Sequence, residues 1–143
     1  MGELVTVMGA FPLRVLLVEN QPIMAAGVES VLKRLGHLVV GTAATGEAAI
    51  IAADKTRPDF VLMDVVLDGT MDGIEAAEEI RKHHGIRSVF LSDRWDQTTR
   101  GRAQAADGIA FIEKTAQPSE LAAVVTTIAL LECVELGKES DGA

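Results

Sequence analysis

Phe60-Val61-Leu62-Met63-Asp64-Val65-Val66-Leu67-Asp68-Gly69 decides the fold of this chain. Four consecutive apolar residues read as a short strand buried on both faces, as in a parallel sheet covered by helices. The run ends on a carboxylate, and the chain leaves it in a loop that carries Asp68 and Gly69. In open α/β sheets the carboxyl ends of the strands form the edge where ligands and chemistry gather. Asp64 stands at that end of its strand.

Outward from this stretch, similar apolar runs at 14–18, 38–41, 88–92 and 108–112 predict four more strands, around one at 60–63. Helical patterns fill the gaps. Pro22 suits a first helical position, Met24, Val28, Val31, Leu32 and Leu35 share one face, and Gly36 is the stop. A helix over 45–57 is capped by Thr45 and has a small-residue face of Ala48, Ala49, Ala52 and Ala53. A third runs from Gly73 to His83 or His84 with Ile74, Ala77 and Ile80 inward. The last runs from Pro118 to about Leu136, followed by a polar tail over 137–143. Its core face is Leu121, Val124, Val125, Ile128 and Leu131; Ala123, Leu130 and Val134 lie opposite, under the N-terminal extension or at a partner or dimer contact. Between Trp95 and Ala106 there is no apolar stripe, and Gly101 costs about 1 kcal/mol inside a helix, so a short, mobile or shifted helix is expected there. Trp95 is suited equally to a core role and to an exposed contact. Strands alternating with helices predict a doubly wound (βα)5 parallel sheet with right-handed crossovers.

The chain has 143 residues, enough for one domain with a real core. Apolar residues make up 48% and the formal net charge is −8, which fits an ordered globular protein and argues against a general nucleic-acid surface. The single cysteine, Cys133, excludes an internal disulfide framework, fits a reducing compartment and reads as a packing residue. The start shows no signal-peptide pattern, and residues 121–131 fall short of the ~18 apolar residues of a membrane span, so a soluble, cytoplasmic protein is expected.

Parallel consecutive strands place their carboxyl ends on one rim. Glu19 and Asn20, Asp64, Ser92 and Lys114 all follow strands and meet there. A carboxylate can attack a phosphoryl group to form an acyl phosphate, provided cations neutralise the charge. Mg²⁺, which prefers oxygen ligands, suits such a rim. His83 and His84 sit at a basic helix end and read as surface residues; Asp72-Gly73 reads as turn and cap chemistry.

Together these segments resemble the receiver domain of two-component response regulators. The matching stretches are Val15-Leu16-Leu17-Val18-Glu19-Asn20-Gln21-Pro22, Pro58-Asp59-Phe60-Val61-Leu62-Met63-Asp64, Met71-Asp72-Gly73-Ile74-Glu75-Ala76-Ala77 and Ala110-Phe111-Ile112-Glu113-Lys114. The resemblance covers about 14–136. It implies a flavodoxin-like sheet with strand order 2-1-3-4-5, a receiver domain at 13–137, an N-terminal extension at 1–12 and a C-terminal tail at 138–143. It implies that Asp64 accepts a phosphoryl group from a histidine kinase or phosphotransfer protein. Glu19, Asn20, Asp64 and the Val66 backbone carbonyl would hold Mg²⁺. Ser92 and Lys114 would contact the phosphoryl oxygens, and Ser92 and Phe111 would form the switch. The implied function is a stand-alone response regulator, not an enzyme beyond slow self-phosphorylation and autodephosphorylation. It would signal through protein contacts, without nucleic acid or membrane, with a homodimer through the fourth helix, fifth strand and fifth helix as an option.

The chain departs from the family pattern in three places. Asn20 stands where an aspartate is usual, which removes one negative charge from the metal site. Thr115 follows Lys114 where a cis proline is usual; a cis bond before a non-proline costs about 2.5–4 kcal/mol, so a trans bond is expected. Asp93 after Ser92 would repel a phosphate unless it faces solvent. These departures support a rival reading, a receiver-like interaction module that takes no phosphate. An aspartate-nucleophile phosphatase of the haloacid dehalogenase type would need an acid at Val66. A flavodoxin-type flavin site would need a glycine-rich loop in place of Glu19-Asn20-Gln21-Pro22.

Overall fold

The computed structural model describes the backbone of residues 12–142 and side chains through Glu132. Residues 1–11 of the extension and the side chains of Cys133 and Val134 lie outside the described residues. Elements alternate without exception: β1 (Arg14–Val18), α1 (Pro22–Arg34), β2 (Leu38–Ala43), α2 (Gly46–Thr56), β3 (Phe60–Asp64), α3 (Gly73–His84), β4 (Ser88–Ser92), α4 (Gln97–Ala105), β5 (Ala110–Glu113) and α5 (Pro118–Gly142). The strands are parallel and lie in the order β2-β1-β3-β4-β5, as the resemblance implies. The Asp64 strand is central, paired with β1 on one side and β4 on the other.

Strand alternation builds two cores. Leu16, Val18, Val61, Met63 and Phe90 face α2, α3 and α4 through Ala49, Ala53, Ile74, Ala77, Ile80 and Ala103. Val15, Leu17, Phe60, Leu62, Val89 and Leu91 face α1 and α5 through Val28, Leu32, Leu121, Val125 and Ile128. Every residue of β3 and β4 is buried, which explains why both read as unbroken apolar runs.

The helix ends follow local chemistry. Pro22 opens α1, and Gly36 follows its end at φ 87°, a conformation glycine adopts without strain. Thr45 Oγ1 accepts from the Ala48 N–H. Asp72 and Glu75 form a reciprocal capping box on α3. Asp96 caps α4 by accepting from the Thr99 N–H at 2.7 Å; the helix is nine residues long, and Ala103 is its buried residue.

Several boundaries differ from the sequence expectation. β2 reaches Ala43, two residues past Gly41, because it pairs along the full length of β1 with an irregularity at Val15/Leu16. β5 spans Ala110–Glu113, its position set by pairing with β4. Ala48 is exposed, and the inward face of α2 is Ala49 and Ala53. Leu131, expected in the core, is 57% exposed, because Ala129 takes the inward position. α5 continues helical to Gly142, past Leu136 and through the stretch expected as a tail.

Candidate functional site

Each strand that ends at the rim delivers one polar group. The Glu19 N–H donates to the Ala43 carbonyl, extending β1 by one residue, and the Glu19 side chain is buried. Asp64 ends β3 fully buried. Ser92 ends β4 at 3% exposure. The Lys114 N–H donates to the Ser92 carbonyl at 3.0 Å, which places the ammonium beside β3.

The predicted groups converge. Lys114 Nζ donates to Asp64 Oδ2 at 2.8 Å and lies 2.9 Å from Glu19 Oε1. These three side chains are 5% exposed or less, so the ion pairs are poorly screened. Burial pushes the Asp64 carboxyl up from 3.8 to about 6; the Lys114 bond pulls it down and Glu19 pushes it up. Burial disfavours the Lys114 cation, but its bonds and charge contacts with Asp64 and Glu19 outweigh this and raise its pKa. The lysine is held between two carboxylates that favour its charged form.

Asn20 completes the cluster. With its amide nitrogen facing the carboxylates, it donates to Asp64 Oδ2 at 3.2 Å and to Glu19 Oε2 at 3.0 Å. An ionised aspartate here could only accept. Among the described residues no group of three or more His, Cys, Asp and Glu side chains gathers as a metal site, which follows from the amide at this position. The side chains gathered here nonetheless offer oxygen: two carboxylates and an amide. That set fits a hard cation with less charge than three carboxylates would offer.

The loop after β3 is fixed on both sides. Val66 N donates to Asp64 Oδ1 at 3.1 Å, and Thr45 and Asp68 form a β-bridge. Thr70 Oγ1 donates to Glu47 at 3.0 Å, and Gly73 N donates to the Val65 carbonyl at 2.9 Å. A Cβ at Gly73 would collide with the Asp64 carbonyl oxygen, so α3 can start this close to the carboxylate only on glycine. The Asp72-Gly73 pair is therefore cap and packing chemistry.

The other predicted residues are placed as follows. The Ser92 hydroxyl donates to the Arg94 carbonyl at 2.9 Å and accepts from the Arg94 N–H at 3.2 Å. Phe111 is half-buried, parallel to Phe90 at 6.4 Å and edge-on to Trp95 at 5.5 Å. Trp95 is half-buried against the core and donates from Nε1 to the Ile112 carbonyl at 3.1 Å. Asp93 is exposed, and no cis peptide bond occurs among the described residues, so Lys114-Thr115 is trans. His83 is exposed and pairs with Glu79, while His84 is half-buried near Asp54.

Sequence reasoning missed four contacts. The Arg102–Asp72 ion pair at 2.8 Å joins α4 to the start of α3. The indole bond of Trp95 and the two donations of Asn20 were also unforeseen. The signal for Asn20 was present, since an amide beside two predicted carboxylates has donors to offer.

No helix among the described residues is long and apolar enough to cross a membrane. The chain is 32% identical over 116 residues to the response regulator protein VraR of Staphylococcus saprophyticus, covering 80% of this chain and 55% of that protein. It is 32% identical over 112 residues to the transcriptional regulatory protein PdtaR of Mycobacterium tuberculosis, covering 78% and 54%. The chain thus spans about half the length of these relatives. The signal receiver domain of a modulated diguanylate cyclase from Desulfovibrio desulfuricans G20 superposes with a TM-score of 0.78 at 27% identity, covering 87% of this chain and 98% of that one. The receiver domain of the NarL protein of M. tuberculosis gives 0.76 at 27% identity, covering 82% and 96%. The model of the response regulator receiver domain matches residues 15–126, most of the chain and every element that builds the rim, so this protein belongs to the receiver domain family of two-component signalling.

Proposed function

We propose that this chain accepts a phosphoryl group on Asp64 from a histidine kinase or phosphotransfer protein and signals through protein contacts. The observation that carries the reading is the buried Asp64 carboxylate, held at 2.8 Å by Lys114 with Glu19 beside it, at the carboxyl edge of a parallel sheet. An Asp64 oxygen attacks the phosphorus of a phosphohistidine. The O–P bond forms, the N–P bond breaks, and the leaving imidazole nitrogen takes a proton. Lys114 neutralises the incoming oxygens, and the Ser92 hydroxyl supplies a further donor. Glu19, Asn20, Asp64 and the Val66 carbonyl would hold Mg²⁺, which supplies further charge neutralisation when bound.

The receiver unit is assigned to 13–137, and Phe111 to the switch together with Ser92. An apolar cavity of about 260 Å³ beside Lys114, lined by Met24, Pro118 and Leu121, with Ile23 90% exposed at its rim, suits a protein partner with an apolar side chain to insert. The acidic chain argues against nucleic acid and membrane surfaces and fits a cytoplasmic setting. Exposed Leu130 and Leu131 on α5 suit a protein contact, including a second copy through α4, β5 and α5.

The test is intact mass after incubation with acetyl phosphate and Mg²⁺, and with a cognate kinase. One added phosphoryl group, absent from Asp64→Ala, is the expected result. Unmodified protein in both incubations, or modification that survives Asp64→Ala, overturns the reading. The observation favouring the rival, an interaction module that takes no phosphate, is the Asn20 amide: it donates to Asp64 Oδ2 and Glu19 Oε2 from the position where a third carboxylate would stand.

A further inference from the structure

Ser92 and Trp95 are the ends of one short loop, and each end is bonded. The Ser92 hydroxyl, at 3% exposure, donates its proton to the Arg94 carbonyl. A hydroxyl has one proton, so while that bond stands Ser92 cannot donate to an oxygen on Asp64. The next residue after Arg94 is Trp95. Its indole N–H holds the Ile112 carbonyl of β5 at 3.1 Å, and its ring stands edge-on to Phe111 at 78°. Asp96 follows and caps α4. Since Ala103 is the buried residue of α4, Trp95 supplies the apolar anchor that this helix lacks.

We infer that Trp95 is a positioning residue: its indole straps the β4–α4 loop to β5 and so keeps the Ser92 hydroxyl on Arg94, away from the Asp64 substituent. The strap and the hydroxyl share one backbone segment, so releasing one loosens the other. The inference rests on the reading of Asp64 as the phosphoacceptor for its consequence, but the strap itself exists in the free protein.

The test has two arms. In the free protein, Ser92→Ala removes the hydroxyl that gathers the loop, and the Trp95 indole N–H is expected to exchange with deuterated water about fivefold faster by NMR, the factor of one lost hydrogen bond. An unchanged exchange rate overturns the strap. The second arm measures beryllofluoride affinity with Mg²⁺ by fluorine NMR. Trp95→Phe, which keeps a ring and loses the N–H, is expected to bind about fivefold tighter than wild type, and this gain disappears when Ser92→Ala is also present. A gain that persists without Ser92, or no gain, shows that Trp95 only fills space and overturns the inference. If beryllofluoride leaves no bound signal on wild type, the intact-mass test decides the Asp64 reading, and the exchange arm alone decides the strap.

Discussion

Asn20→Asp is the most informative single change. The amide nitrogen lies 3.2 Å from Asp64 Oδ2 and 3.0 Å from Glu19 Oε2. The substitution turns two donations into two like-charge contacts. At roughly 3 Å each contact costs about 5 kcal/mol at an effective dielectric of about 20, and about 1.4 kcal/mol in bulk water. Proton uptake limits the cost, because a crowded carboxyl binds a proton when that is cheaper. The net expectation is a loss of about 3 kcal/mol at pH 8 in EDTA, which lowers the Tm by about 10 °C for a domain of this size. At pH 5 the loss shrinks, since Asp64, already raised to about 6, takes the proton. In millimolar Mg²⁺ the order changes: the variant gains more stability than wild type, because a third carboxylate strengthens the oxygen site. Thermal melts at both pH values, with and without Mg²⁺, check this. A variant that melts with wild type in EDTA at pH 8, or Mg²⁺ gains equal in both proteins, refutes the amide's role.

Three further outcomes follow from the same geometry. The Asp64 pKa is raised, so its stabilising contribution is complete below 3.8 and is lost as pH rises through about 6, a span worth about 3 kcal/mol. Urea unfolding should show wild type gaining about 1.4 kcal/mol relative to Asp64→Asn on going from pH 8 to pH 5, and parallel pH profiles contradict it. Gly73→Ala drives a methyl into the Asp64 carbonyl oxygen, and denaturation should show a loss above about 3 kcal/mol, against about 1 kcal/mol for a typical substitution. Lys114→Met leaves two buried carboxylates without their cation, so it should lose about 3–5 kcal/mol at pH 8 and recover part of this at pH 5, read by the same melts.

The fold was legible because β1, β3 and β4 are buried on both faces and so have unmistakable apolar runs. The rim was legible for the same reason: strand ends fix where Glu19, Asp64, Ser92 and Lys114 fall. Boundaries were less legible where pairing decides them, as at β2 and β5, whose outer edges carry mixed residues. Leu131 failed because helical periodicity says which residues share a face, not where the sheet beneath that face ends. The role of Trp95 was out of reach. Its partner is a backbone carbonyl seventeen positions away, and carbonyls leave no mark in a sequence. Asn20 shows another limit, since its residue type suggested a metal ligand but not the two donations it makes to the carboxylates.

The Lys114–Asp64 contact joins residues 50 positions apart. Pairing of β1 with β3 brings Glu19 and Asp64 to the rim, but Lys114 arrives only when β5 docks on β4, the last strand pairing along the chain. Loop-closure entropy opposes such distant pairings until the intervening elements are in place. A half-assembled sheet therefore presents two adjacent carboxylates with no lysine between them. An incompletely folded chain carries the Asp64 carboxylate without its cation. The arrangement makes completion of the sheet and neutralisation of its rim carboxylates the same event.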